Sequence, residues 1–333
     1  MKNKIENKGK KPIVAISIPT GIGANQGGYA GDFGYIARKF SKDFHVILNP
    51  NAVNGGILSA INYDMSYLEG YLFDEFFKGK IEIIPKKPYE TNKIGVIFDS
   101  EIPKDILNVH LNTISALKMV QGIEFLEPEY TKKSVGVEIK VENGISYGNL
   151  KNPDELLSSA KKLIEKGAQA IAVVCYFKED AEDENYSNGE GIDPIGGVEA
   201  IISHLITKEY SIPAAHAPAF LDIDISTKIE HEKVSSELIS STYFPCIAQG
   251  LSIAPNIFKT HQENSISYKD IEYLIVPKDA LGSPAVLSAQ ENNVKIITVK
   301  NDTVLDVTKE KLNIKVYKEF NSYEECLCEI KNK

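Results

Sequence analysis

The amino-acid sequence predicts an α/β fold: mainly parallel sheets with helices on both faces, two Rossmann-like lobes, and one β-hairpin near the middle of the chain. Three observations carry this reading. Short apolar runs rich in β-branched residues, such as IVAISI (13–18) and QAIAVVCYF (169–177), read as strands buried on both faces. Loops rich in glycine, proline or asparagine follow such runs and lead into segments of helical periodicity. The strand–loop–helix order then recurs along the chain, as a parallel sheet requires.

In order, the strand at 13–18 ends at Pro19, and a glycine-dense loop (19–32) leads into a helix, GYIARKF, that closes near Phe40. HVIL (45–48) is a second strand, followed by the loop NPNAVNGG (49–56) and a helix from about Ile57 to Phe77, with Gly79 as its stop. Residues 81–84 and 94–98 are strands, and 104–121 is a helix closed by Gly122. VGVEIKV and ISYGNL flank Asn143-Gly144, a pair that favours a type I′ hairpin turn. A helix at 154–166, the strand at 169–177, an acidic loop at 178–193, a helix at 195–208 and an extended segment at 212–219 follow. Strands at 273–277 and 295–299 flank a helix at 280–292, and a last β-α unit closes the chain. The hairpin marks the expected boundary between an N-terminal lobe (12–145) and a C-terminal lobe (146–333), after a disordered tail at 1–11.

Composition narrows the function. The 333 residues carry 37 basic and 46 acidic side chains, a net charge of −9, and Arg38 is the single arginine. Nucleic-acid binders need a basic face and arginine forks, so that class is excluded, as are anion sites built on paired guanidinium groups. Cys175, Cys246, Cys326 and Cys328 form no disulfide framework. The N-terminal MKNKIENKGKK has no apolar h-region and no stretch reaches bilayer length, so a cytoplasmic, reduced protein with no membrane partner is expected. A homo-oligomer is compatible with the composition.

Three loops at strand ends could carry chemistry, because parallel sheets bind ligands there. In the first, Gly21, Gly23, Gly27 and Gly28 would let backbone N–H groups approach an anion, with Thr20 and Asp32 facing the concave side. It lacks the Gly-Lys-Ser/Thr ending of a P-loop, and Gln26 stands where a dinucleotide fingerprint needs glycine, so no NAD, FAD or ATP signature is present. Asp32 could equally be a helix N-cap. In the second loop, Asn49, Asn51, Asn54 and Gly55 offer amides and positive φ, or else a double turn without a ligand. In the third, Asp193 and Gly196-Gly197 lead into a helix bearing Glu199, and His216 stands at a strand end between Ala215 and Ala217. His216 is the leading general acid/base, supported by Asp193, Glu199, Asp32 or Cys246. Ser283, opening another helix, marks a further anion pocket. A divalent metal held by Asp and His has no supporting ligand spacing. Cys175 and Cys246 admit a two-thiol, racemase-like alternative.

The combination of PTGIGA, QGGYAGD, NPNAVNGG, YLEGYLFDEF, GIDPIGGVEAIISH, IPAAHAPAF, FPCIAQGLSIAP and VPKDALGSPAVL resembles the family known as domain of unknown function 3326, over nearly the whole chain. The resemblance implies an α/β enzyme type but transfers no catalytic residue and no substrate. The expected function is acid/base chemistry (lyase, isomerase or hydrolase) on a small polar, anionic metabolite. The rivals are the two-cysteine enzyme and a non-catalytic small-molecule sensor.

Overall fold

The computed structural model describes residues 11–19, 21–29, 31–49, 61–177, 186–221, 229, 231, 240 and 242–332. The elements run β1 (Ile13–Ile16), α1 (Gly34–Phe40), β2 (His45–Leu48), β3 (Met65–Tyr67), α2 (Gly70–Phe77), β4 (Glu82–Ile84), β5 (Ile94–Phe98), α3 (Lys104–Gln121), β6 (Glu129–Tyr130), β7 (Val137–Glu142) and β8 (Ile145–Leu150). They continue with α4 (Pro153–Glu165), β9 (Ala170–Tyr176), α5 (Gly196–Tyr210), β10 (Ala214–Ala219), α6 (Phe244–Ser252), β11 (Asn256–Phe258), β12 (Ile271–Pro277), α7 (Pro284–Glu291), β13 (Ile296–Val299), α8 (Lys309–Leu312), β14 (Val316–Phe320) and α9 (Tyr323–Ile330).

Two parallel sheets organise the molecule. One has six strands in the order β14-β13-β12-β1-β2-β3, and the other four in the order β10-β9-β5-β6. Alternation along each strand sends successive side chains to opposite faces. On the six-stranded sheet, Val14, Ile16, Ile275 and Val299 pack towards α1 and α9, while Ala15, Leu274 and Val276 pack towards α2 and α7. On the four-stranded sheet, Val96, Val174 and Ala217 meet α3 and α6, while Ile171, Val173 and Cys175 meet α4 and α5. The sheets meet at their edges, where Tyr67 Oη of β3 donates to the Ala214 carbonyl of β10 at 2.7 Å. The predicted hairpin is β7–β8, paired antiparallel, and Asn143 (φ 52) and Gly144 (φ 72) take the positive φ of its turn.

Two features depart from the sequence reading. The six-stranded sheet combines strands from both ends of the chain, β1 lying between β2 and β12, so sheet membership does not change at residue 145. The helix expected from Ile57 to Phe77 begins only at Gly70, capped by the Glu69 carboxylate accepting the Tyr71 N–H at 2.7 Å. Ahead of it Met65–Tyr67 is a strand pairing with β2. Tyr63, Tyr67 and Tyr71 therefore share no helix face.

In both sheets the chain reverses its direction of winding, between β1 and β12 in one and between β5 and β9 in the other. Crevices form outside the carboxyl ends of strands at such switch points.

Candidate functional site

The glycine loop leaves β1 and docks on the start of α5, bridging the carboxyl ends of the two sheets. The Gly21 carbonyl accepts the Ser146 N–H at 2.7 Å. A Cβ on Gly21 would stand 2.8 Å from the Gly197 nitrogen, and one on Gly197 would stand 2.0 Å from the Ser146 carbonyl oxygen. These glycines are required by close passage of one backbone over another. Gly23 likewise lies against Val304, and Gly28 against the Ala24 backbone. Asp32 does not cap α1, whose N-cap is Phe33; both its carboxylate oxygens accept the Gly27 N–H, at 2.7 and 2.9 Å, and close the loop on itself. Fully buried Asn301 ties down the tip, accepting the Gln26 N–H at 2.8 Å and donating to the Gln26 carbonyl at 2.8 Å.

The anion sites expected at helix starts are filled by the protein itself. Asp193 Oδ1 accepts the Ile195 N–H at 3.0 Å, and Ser146 Oγ accepts the Gly197 N–H at 3.1 Å while donating to the Pro194 carbonyl at 2.6 Å. At α7, Ser283 Oγ accepts the Val286 N–H at 3.3 Å and Asp74 Oδ1 accepts the Ala285 N–H at 3.0 Å. Asn49 is also a tether: Oδ1 accepts the Ile18 N–H at 3.0 Å, and Nδ2 donates to the Ile18 carbonyl at 2.7 Å. Thr20, Asn51, Asn54 and Gly55 lie outside the described residues, as does the acidic run at 179–184.

What the fold does assemble is a buried acid cluster towards the carboxyl ends of β5 and β9, with His216 inside β10 and not, as expected, at its end. Asp193, Glu199 and His216 are all buried. His216 Nε2 accepts the Cys175 N–H at 3.3 Å, which places the ring proton on Nδ1, and Nδ1 donates to Glu199 Oε1 at 2.9 Å. Burial disfavours each charged form. It pushes His216 down to about 3 and Glu199 up to about 8. Asp193 rises to about 7, through burial and then the nearby Glu199 charge. His216 therefore has neither nitrogen left for a substrate, which corrects its expected role as the general acid/base. Asp193 and Glu199 are the carboxyl groups buried beside it.

Asp99, which the sequence reading passed over, belongs to the same end of the sheet. It is buried directly after β5, and its carboxylate accepts the N–H groups of Val135 and Glu101. An acid placed immediately after a buried apolar strand was the available signal. The two-thiol site is not assembled. Cys175 faces α5, with its thiol pushed well above the ordinary range by burial, whereas Cys246 lies on α6, which packs on the opposite face of that sheet. Among the described residues, no three His, Cys, Asp or Glu side chains are placed to hold a metal ion.

Fold and site together define an α/β protein with two parallel sheets whose strand ends are joined by one glycine loop over a buried acid cluster. The chain belongs to the family described as protein of unknown function DUF3326, whose profile matches residues 13–332. It is 32% identical over 317 residues to an uncharacterized lipoprotein of Synechococcus sp., covering 92% of this chain and 87% of that protein. That relative overturns the cytoplasmic location expected from the sequence. Among the described residues no helix is long and apolar enough to cross a membrane. No solved structure matches the chain.

Proposed function

We propose that this protein is an enzyme that moves a proton on a small polar metabolite, with the Asp193–Glu199 carboxyl pair as proton carrier. The observation behind this reading is the position of the pair. Two carboxyl groups at the start of α5 are buried together, and their values of about 7 and about 8 keep a proton in place near neutral pH. General acids and bases work best when their pKa lies near the working pH. His216 is a positioning residue, fixing Glu199 through Nδ1. Asp193, Ser146, Asp74 and Ser283 already accept helix-start N–H groups at α5 and α7, so those donors are not the ones that recognise the ligand. The chemistry suits a lyase, isomerase or hydrolase.

Incubating the full chain in D2O with a panel of small hydroxy, amino and keto compounds tests this, with proton NMR reading exchange of carbon-bound hydrogen. Exchange in the wild type that is lost in Glu199→Gln supports the proposal. Exchange unchanged in both Glu199→Gln and Asp193→Asn refutes the assignment of the pair. The name of the Synechococcus relative brings membrane attachment to this chain as a separate proposal, read by whether the chain sediments with membranes after cell lysis.

A further inference from the structure

The six-stranded sheet carries a groove of about 310 Å³ at the amino ends of β12 and β13, opposite the strand ends that the glycine loop reaches. Two short stretches line it. One is the helical turn Tyr268–Asp270 running into β12; the other is the reversal from α7 into β13, where Asn293 adopts φ 58. Tyr268, Lys269, Glu272, Asn292, Asn293 and Lys295 supply its polar groups. Asn292 braces the wall, its amide donating to the Phe77 carbonyl of α2 at 2.9 Å. Lys269, Glu272 and Lys295 are charged, yet among the described residues none of them forms an ion pair, with one another or elsewhere. Aromatic faces hold the ammonium groups instead. Lys295 Nζ lies 5.3 Å from the Tyr273 ring centre and 5.2 Å from that of Tyr317, and Lys269 Nζ lies 5.9 Å from that of Tyr268. A ring face orients a cation without cancelling its charge. Asn292 is the C-cap of α7, so the negative end of that helix dipole also meets the groove.

We propose that this groove is a binding site for a free α-amino acid in its zwitterionic form, with Lys269 and Lys295 on the carboxylate and Glu272 on the ammonium. Charge complementarity selects the class. A simple anion would meet Glu272 and the carboxyl end of α7, and a simple cation would meet two ammonium groups. A zwitterion answers both signs at once, through charge-assisted hydrogen bonds to each. The groove is at the small end of the range for ligand sites, which suits a single amino acid and not a peptide. The site is independent of proton transfer at Asp193 and Glu199, and its test reads binding without turnover.

L-alanine is the probe, titrated into the isotope-labelled full chain and followed by amide NMR. Acetate and methylammonium serve as its single-charge fragments. Amide signals of the lining residues, from Tyr268 to Glu272 and from Asn292 to Lys295, should shift saturably with L-alanine. Each fragment should bind about tenfold more weakly or worse. Glu272→Gln and Lys269→Gln should each weaken L-alanine binding by about the same factor. Lys269 is exposed, so that variant keeps the fold and decides alone if Glu272→Gln does not. No saturable shift with L-alanine overturns the proposal, as does saturation mapped to other residues. Acetate binding as tightly as L-alanine, with Glu272→Gln without effect, overturns the zwitterion assignment.

Discussion

A buried imidazole with both nitrogens hydrogen-bonded has no proton or lone pair to offer a substrate, so His216 acts through Glu199. His216→Ala would leave Glu199 without that partner and open a cavity among Phe177, Cys175 and α5. The expected cost is about 2–4 kcal/mol, read as a lower urea midpoint. The acid cluster also sets a pH dependence. Glu199 and Asp193 titrate in the folded chain at about 8 and about 7, above the ordinary carboxylate range. The folded state then keeps protons that the unfolded chain has released, so their contribution is full at low pH and is lost as pH rises towards 8. His216 works oppositely: its folded value of about 3 lies below the ordinary 6.5, so it adds stability as pH rises through that interval. The terms oppose each other up to about pH 6.5, above which only the carboxyls act. Urea midpoints should therefore fall between about pH 6.5 and pH 8, and Glu199→Gln should flatten that fall. A midpoint that holds constant there in the wild type contradicts the burial argument.

The start of α5 is where several elements constrain one another. Gly197 lets the helix pass under β8, and Ser146 then bonds both the Gly197 N–H and the Pro194 carbonyl. Gly197→Ala puts a methyl group into the Ser146 carbonyl, so the hairpin or the helix must shift. A loss of about 3 kcal/mol is expected, measured by thermal unfolding. The same elements show what local sequence can reveal. The hairpin was legible because Asn143-Gly144 adopts a backbone that few other pairs allow. The buried strands were legible because β9 and β10 are apolar on both faces. Of the helix expected over 57–77, the described residues show only Gly70–Phe77 as helix. Tertiary pairing of Met65–Tyr67 with β2 decides that segment instead. The glycine loop was visible, but its purpose was not: sequence shows where backbone can approach closely, and only the fold shows that the approaching partner is α5. Asp193 and Glu199 were placed by their position at a helix start, while the engagement of both His216 nitrogens depends on β9, a strand distant in sequence.

At the scale of the whole molecule, the two sheets are distinct but the chain passes between them repeatedly. Residues 12–145 carry β1, β2 and β3 together with β5 and β6, so they contain part of each sheet and all of neither. Removed from the rest, β1 would lose its β12 neighbour and β5 its β9 neighbour. That segment expressed alone is expected to lack a cooperative unfolding transition, which circular dichroism with heating would show directly. A sharp transition would mean that the N-terminal half forms a domain in its own right.

The placement of β1 between β2 and β12 also sets a timetable for synthesis. Ile13 leaves the ribosome long before Ile271, its partner in the finished sheet. Until β12 emerges, one flank of β1 presents a row of unmatched backbone groups beside a strongly apolar surface. Such a nascent edge can recruit the wrong strand, and pairing across so long a separation is slow. Yield in cells should therefore depend on translation speed and chaperone supply more steeply than the equilibrium stability of the finished protein would suggest.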